Sequence, residues 1–130
     1  VLNKYANRKI MNFITAIKTV LFKKYANFNG RASRSEFWFF QLAYFLLALT
    51  ISVFTTPEQW VPSVALDVLV IIPVLAVSAR RLHDTGRSGW NQLWAITIIG
   101  LIPLVYWYCS NSSDEGNRFG SNPLLSDNIA

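Results

Sequence analysis

The chain has 130 residues, 52% of them apolar and only 15% charged, with a formal net charge of +5. That is enough length for one domain and too little for two ordinary ones, and too little charge to cover a soluble domain of this size. One cysteine, Cys109, and one histidine, His83, exclude an internal disulfide framework and any zinc-ligand spacing; no cofactor or metal is implied.

Residues 1–35 carry eight basic side chains and no acidic one. Within them Ile10, Phe13, Ile14, Ile17 and Leu21 recur at helical spacing, with Val20 and Tyr25 alongside. Lys18, Lys23 and Lys24 fall toward the other side, where long cationic stems snorkel. The pattern predicts an amphipathic helix over 10–27 lying in the headgroup plane, the alternative being an ordinary helix packed on the bundle. Lysines interrupt this stretch and no small-residue cleavage site follows it, so a cleavable signal peptide is not expected.

Asn29-Gly30 marks a turn, and Ser33-Arg34-Ser35-Glu36 reads as a capping box, with the Glu36 side chain reaching back to the Ser33 amide. Residues 37–57 and 88–113 contain no charged side chain, and each window exceeds the roughly 20 residues that a spanning helix needs. Between them, Ser63 to Ala79 is interrupted only by Asp67. The expectation is therefore one all-α membrane domain: an interfacial amphipathic helix followed by three transmembrane helices at 35–56, 63–79 and 89–110, with a polar tail over 111–130. Pro57 and Pro62 bound the connection that makes the first two spans an antiparallel hairpin. Pro73 and Pro103 fall inside spans, where each removes a helix hydrogen bond that neighbours must replace. Asp67, near a helix N-terminus, reads as an interfacial charge or as part of an ion pathway.

Basic residues fix the orientation. Eight lie in the N-terminal region and three in the 80–89 loop, while the tail has Arg118 against Asp114, Glu115 and Asp127. Three spans with a cytoplasmic N-terminus satisfy the positive-inside rule. The tail then lies outside, and Tyr106-Trp107-Tyr108 joins the outer aromatic belt. A re-entrant third segment broken between Gly100 and Pro103 would return the tail to the cytoplasm; its halves are too short to cross, so a single span is preferred.

On this topology Arg31, Arg34 and Glu36 meet Arg80, Arg81, His83, Asp84 and Arg87 at one membrane face. Guanidinium forks match phosphate or carboxylate oxygens, and a helix N-terminus beside them is a ready anion site. These eight residues are the candidate binding site for an anionic lipid headgroup or a protein partner, set against an internal salt-bridge network. Five arginines against two carboxylates leave an excess of positive charge. His83 beside Asp84 suggests a catalytic pair, but adjacent helical residues do not face each other and no serine or cysteine completes a triad. No catalytic residue is assigned. Basic residues with interleaved aromatics also occur in nucleic-acid binders; here the aromatics sit in the apolar spans, and no nucleic acid is expected. The expected partners are anionic membrane lipids, together with a membrane protein or a second copy of the chain. The rival functions are a small transporter or channel subunit using Asp67, Pro73 and Pro103, and an enzyme acting on lipid headgroups through His83 and Asp84.

Three motifs occur in order: Phe28-Asn29-Gly30-Arg31-Ala32-Ser33-Arg34-Ser35-Glu36-Phe37-Trp38, Arg80 to Trp90 with its Arg-Arg-Leu-His-Asp block, and Gly116-Asn117-Arg118-Phe119-Gly120 with Asn122-Pro123. From about Met11 to Pro123 the chain resembles the domain-of-unknown-function 805 family of small bacterial inner-membrane proteins. The resemblance implies a multi-pass protein of the bacterial cytoplasmic membrane and supplies no reaction. The chain departs from the pattern at Asn91, where a second tryptophan is common, and at Ser112 to Gly116, where a Gly-Thr pair usually precedes the Gly-x-Asn element. If all three motifs form one site, a single span over 89–110 is excluded.

Overall fold

The computed structural model describes residues 10–113 and 116–125. Residues 1–9, and positions 114, 115 and 126–130 of the expected tail, lie outside the described residues. Asn12 opens α1 (Phe13–Lys18), its Oδ1 accepting from the Thr15 amide at 2.8 Å. The helix continues as a π-helical turn over Thr19–Lys23, closed by the Lys24 amide on the Thr19 carbonyl at 2.8 Å. This arm packs on the bundle: Ala16, Thr19 and Val20 are buried, and Phe13 meets Phe39 edge-on at 5.9 Å. Of the expected apolar face, Phe13, Ile17 and Leu21 are half-buried while Ile10 and Ile14 are exposed. The arm thus has apolar residues both toward the bundle and away from it.

Helix α2 (Arg34–Phe54) starts at Ser33, whose hydroxyl accepts from the Glu36 amide at 3.3 Å. Helix α3 (Val61–Asp84) starts with Pro62 in its first turn, where the missing N–H costs nothing. The Ala32 amide donates to the Arg80 carbonyl at 3.0 Å, and the Tyr44 hydroxyl donates to Asp67 at 2.7 Å. Residue numbers rise on one helix as they fall on the other, so α2 and α3 form the expected antiparallel hairpin. Pro73 lies inside α3 and frees the Leu69 carbonyl four residues earlier; the Tyr25 hydroxyl donates to that carbonyl at 2.5 Å.

Among the described residues, α2 and α3 are the two helices long and apolar enough to cross a membrane, with only 11% and 28% of their most apolar windows buried. The core helix of a soluble protein would be mostly buried. The small core, Val20, Ala32, Phe37, Phe40 and Val77 with Tyr108 against it, sits entirely toward one end of the hairpin.

The third expected span is not one helix. Residues 89–110 form a 3-10 helix over Gly89–Ile96, an extended residue at Thr97, and α4 (Ile98–Cys109). Thr97 makes the break: its Oγ1 donates to the Trp94 carbonyl at 3.1 Å and accepts from the Gly100 amide at 3.0 Å. After the break the chain returns to the end it left. Trp107 lies beneath the Arg87 guanidinium at 4.7 Å, and Tyr108 stacks on Phe37 with centroids 4.5 Å apart. The Tyr106–Tyr108 aromatics therefore sit at the arginine end, not at the opposite one. Gly89 permits the close approach of the outgoing limb, since a Cβ there would come within 2.8 Å of the Ala79 Cβ. A two-stranded hairpin, β1 (Gly116–Asn117) and β2 (Gly120–Ser121), closes the described chain.

Candidate functional site

Three elements build the site: the 27–36 turn, the last turns of α3, and the return of the chain after α4. The Arg80–Asp84 stretch, expected as a loop, is helical to its end. It stops in a Schellman motif: the Gly86 amide donates to the His83 carbonyl at 3.0 Å and the Arg87 amide to the Leu82 carbonyl at 2.9 Å. Gly86 has φ +80, a conformation only glycine adopts without strain.

Arg31, Arg80, Arg81, Glu36 and Asp84 are all buried. Asp84 is fully enclosed and accepts from Arg31 Nε at 2.9 Å, Arg81 Nη1 at 2.5 Å and the Ser112 hydroxyl. Glu36 pairs with Arg80 Nη1. Only half of the expected capping box forms, because the guanidinium takes the carboxylate that would have reached back to the Ser33 amide. Three buried guanidiniums exceed two buried carboxylates, and backbone carbonyls meet the excess. Arg80 Nε donates to Asn27 at 3.1 Å. Arg31 donates to Gly120 at 3.2 Å, to Ser113 at 2.7 Å and to Asp84's own carbonyl at 3.2 Å. Arg81 donates to Tyr108 at 3.0 Å and to Ser110. Buried charge at this density holds only because nearly every donor is matched; Arg80 Nη2 is the buried side-chain polar atom without a partner among the described residues.

The cations meet the negative end of a helix. The last carbonyls of an α-helix have no partner within it and carry the negative pole of its dipole. At the end of α4, Tyr108 accepts from both Arg81 and Trp38 Nε1, the latter at 3.2 Å, and Cys109 accepts from Arg34 at 3.4 Å. The anion site was expected at the start of the third segment; the structure places the arginines at its finish.

The remaining candidates lie around this cluster. His83 and Asp84 point to different partners: His83 Nδ1 donates to the Gly30 carbonyl at 2.9 Å, in the tautomer this contact implies. The imidazole stacks on Phe119 at 3.9 Å, with 3° between the rings. The Asn117 side-chain Nδ2 donates to the His83 carbonyl at 2.8 Å. Arg34 is exposed and Arg87 half-buried. The Gly116–Gly120 motif thus completes the same site as the 28–38 and 80–90 motifs. Asp67 lies elsewhere, on the outward face of the hairpin, and Pro73 is buried with its freed carbonyl taken by Tyr25. Residue reasoning missed Tyr25, Ser112 and the carbonyls after α4. The donor that Pro73 demands, and the third motif, were the signals that could have found them.

Two long apolar helices left mostly exposed along their length, with a buried arginine cluster at one end, define a helical membrane protein whose buried polar groups are concentrated at that end. The chain belongs to the family described as Protein of unknown function (DUF805), whose model matches residues 25–121. That stretch opens at Tyr25 and closes at the end of the β-hairpin. The chain is 35% identical over 114 residues to inner membrane protein YhaI of Escherichia coli strain K12, covering 82% of this chain and 93% of that one. It is 33% identical over 111 residues to inner membrane protein YhaH of the same strain, covering 79% and 92%. No solved structure matches it.

Proposed function

We propose that the chain is a two-span protein of the bacterial inner membrane whose segment 89–110 enters and leaves from the cytoplasmic face, placing both termini and the arginine cluster in the cytoplasm. The supporting observation is the grip of Arg81 and Arg34 on the end of α4 and of Arg31 on the tail, which brings the chain back to the level of α3's last turn. Length agrees. Eight residues of 3-10 helix rise about 16 Å, and the 12 residues of α4 rise about 18 Å. Each limb reaches about half of a ~30 Å hydrocarbon layer. Charge agrees as well, since residues 41–72 contain no lysine or arginine, as the positive-inside rule requires of the outer half.

In this reading the protein is a non-enzymatic membrane-boundary module. Arg31, Arg80, Arg81, Glu36, His83 and Asp84 hold the scaffold, and the outlying cations Arg34, Arg87 and Arg118 engage anionic lipid headgroups. Each basic residue near an anionic leaflet contributes about 1 kcal/mol, roughly fivefold in binding. Arg87→Gln with Arg118→Gln should therefore lower retention of phosphatidylglycerol in native mass spectrometry by roughly 25-fold while leaving the helical circular dichroism intact. Unchanged retention with an intact fold would remove the lipid reading.

A further inference from the structure

Tyr44 lies at the middle of α2, which runs from Arg34 to Phe54, so it is about 15 Å along the helix from either end. The Asp67 carboxylate that it meets is at the same depth and is exposed on the outer surface of the protomer. An ionisable group at that depth normally faces protein or a water-filled cavity, not lipid. Tyr44 is its donor among the described residues, leaving most of the carboxylate's acceptor capacity unused. One turn away on α2, the half-buried Gln41 side chain makes no hydrogen bond among the described residues. Hydrocarbon supplies a partner to neither group.

What Gln41 lacks is an acceptor, and what Asp67 lacks is a donor. Within one copy they stay apart, and every described lysine and arginine lies outside residues 41–72. A two-fold axis along the membrane normal preserves depth and makes such a face self-complementary. The shape fits: a groove of about 490 Å³ runs along α2, walled by Trp38, Leu42, Phe45 and the Gln41 and Tyr44 side chains. Ala48 at its end lets another helix approach closely. An acyl chain would fill the groove and leave both polar groups unmatched.

We propose that the α2–α3 face carrying Gln41, Tyr44 and Asp67 is the contact surface for a second copy of this chain, the Gln41 amide of each copy donating to the Asp67 carboxylate of the other. It rests on α2 and α3 as spans and not on the side of the tail or on lipid binding, so it stands or falls separately from those. The test is single-molecule photobleaching of the full-length protein in phosphatidylethanolamine–phosphatidylglycerol vesicles across protein-to-lipid ratios. Wild type should show two-step bleaching that dilutes to one step. Gln41→Leu should weaken the dimer at least tenfold, Gln41→Glu should weaken it further by opposing two carboxylates, and Asp67→Asn added to Gln41→Glu should restore it by exchanging donor and acceptor. These residues face outward, so circular dichroism should not change. With Cys109→Ser, Ala48→Cys should form an intermolecular disulfide on oxidation. A wild type that is monomeric at every ratio, a Gln41→Leu dimer of wild-type strength, or a stoichiometric partner of different sequence on this face would each overturn the proposal.

Discussion

The two ends of the α2–α3 hairpin solve opposite problems with the same backbone. Among the described residues every buried side chain falls outside 41–72. At the arginine end three guanidiniums and two carboxylates are enclosed with all but one of their buried side-chain polar atoms hydrogen-bonded; at the other, Val53, Phe54, Trp60, Val61 and Val68 are all at least 60% exposed. The apolar end needs no packing from the rest of its own chain, because apolar side chains are at home in lipid and helical hydrogen bonds already satisfy the backbone. The arginine end must terminate α3, turn the chain three times and absorb excess positive charge. Tertiary specificity within one copy is therefore polar and confined to one end of the hairpin.

That comparison can be broken most severely at Asp84. Asp84→Asn leaves two buried guanidiniums without their shared carboxylate, and breaking a buried ion pair this way costs roughly 3–5 kcal/mol. Reversible unfolding in mixed detergent micelles, followed by tryptophan fluorescence, should show a loss of that size. A smaller loss follows from Gly89→Val. The added Cβ would meet the Ala79 Cβ at 2.8 Å, and overpacking of this kind costs about 1–3 kcal/mol; the same unfolding assay should show it, with faster proteolysis between Ser88 and Thr97. Tyr25→Phe removes the donor to the Leu69 carbonyl freed by Pro73, worth about 1 kcal/mol, read as faster amide exchange near Leu69. The opposite end sharpens the contrast: Val68→Ile should change stability by less than about 0.5 kcal/mol. A large effect there would mean that the far end is packed against protein.

Much of this was legible in the sequence. The charge-free window at 37–57 located α2 and the run from Ser63 to Ala79, interrupted only by Asp67, located α3; Ser33 announced the start of α2, and the clustering of Arg31, Arg34, Glu36, Arg80, Arg81 and Asp84 followed from antiparallel spans alone. The third segment was not legible, for a physical reason. A charge-free run from 88 to 113 is long enough to cross, and local propensity does not distinguish a crossing helix from one that breaks at Thr97. What selects the break is tertiary: the α4 carbonyls are claimed by Arg81, Arg34 and Trp38, between 27 and 75 residues distant in sequence. Glu36 shows the same override on a smaller scale, where a buried guanidinium outcompetes a local backbone amide for the carboxylate.

In the proposed fold-back the chain after α4 lies on the same side of the membrane as the arginine cluster. The most direct measurement fuses reporters after Ala130 in cells. A cytoplasmic tail gives a fluorescent reporter and an inactive alkaline phosphatase, which needs export to fold. An active phosphatase with a dark fluorescent fusion would put the tail outside, restore a crossing third segment, and contradict the fold-back that Arg31, Arg34 and Arg81 hold in place.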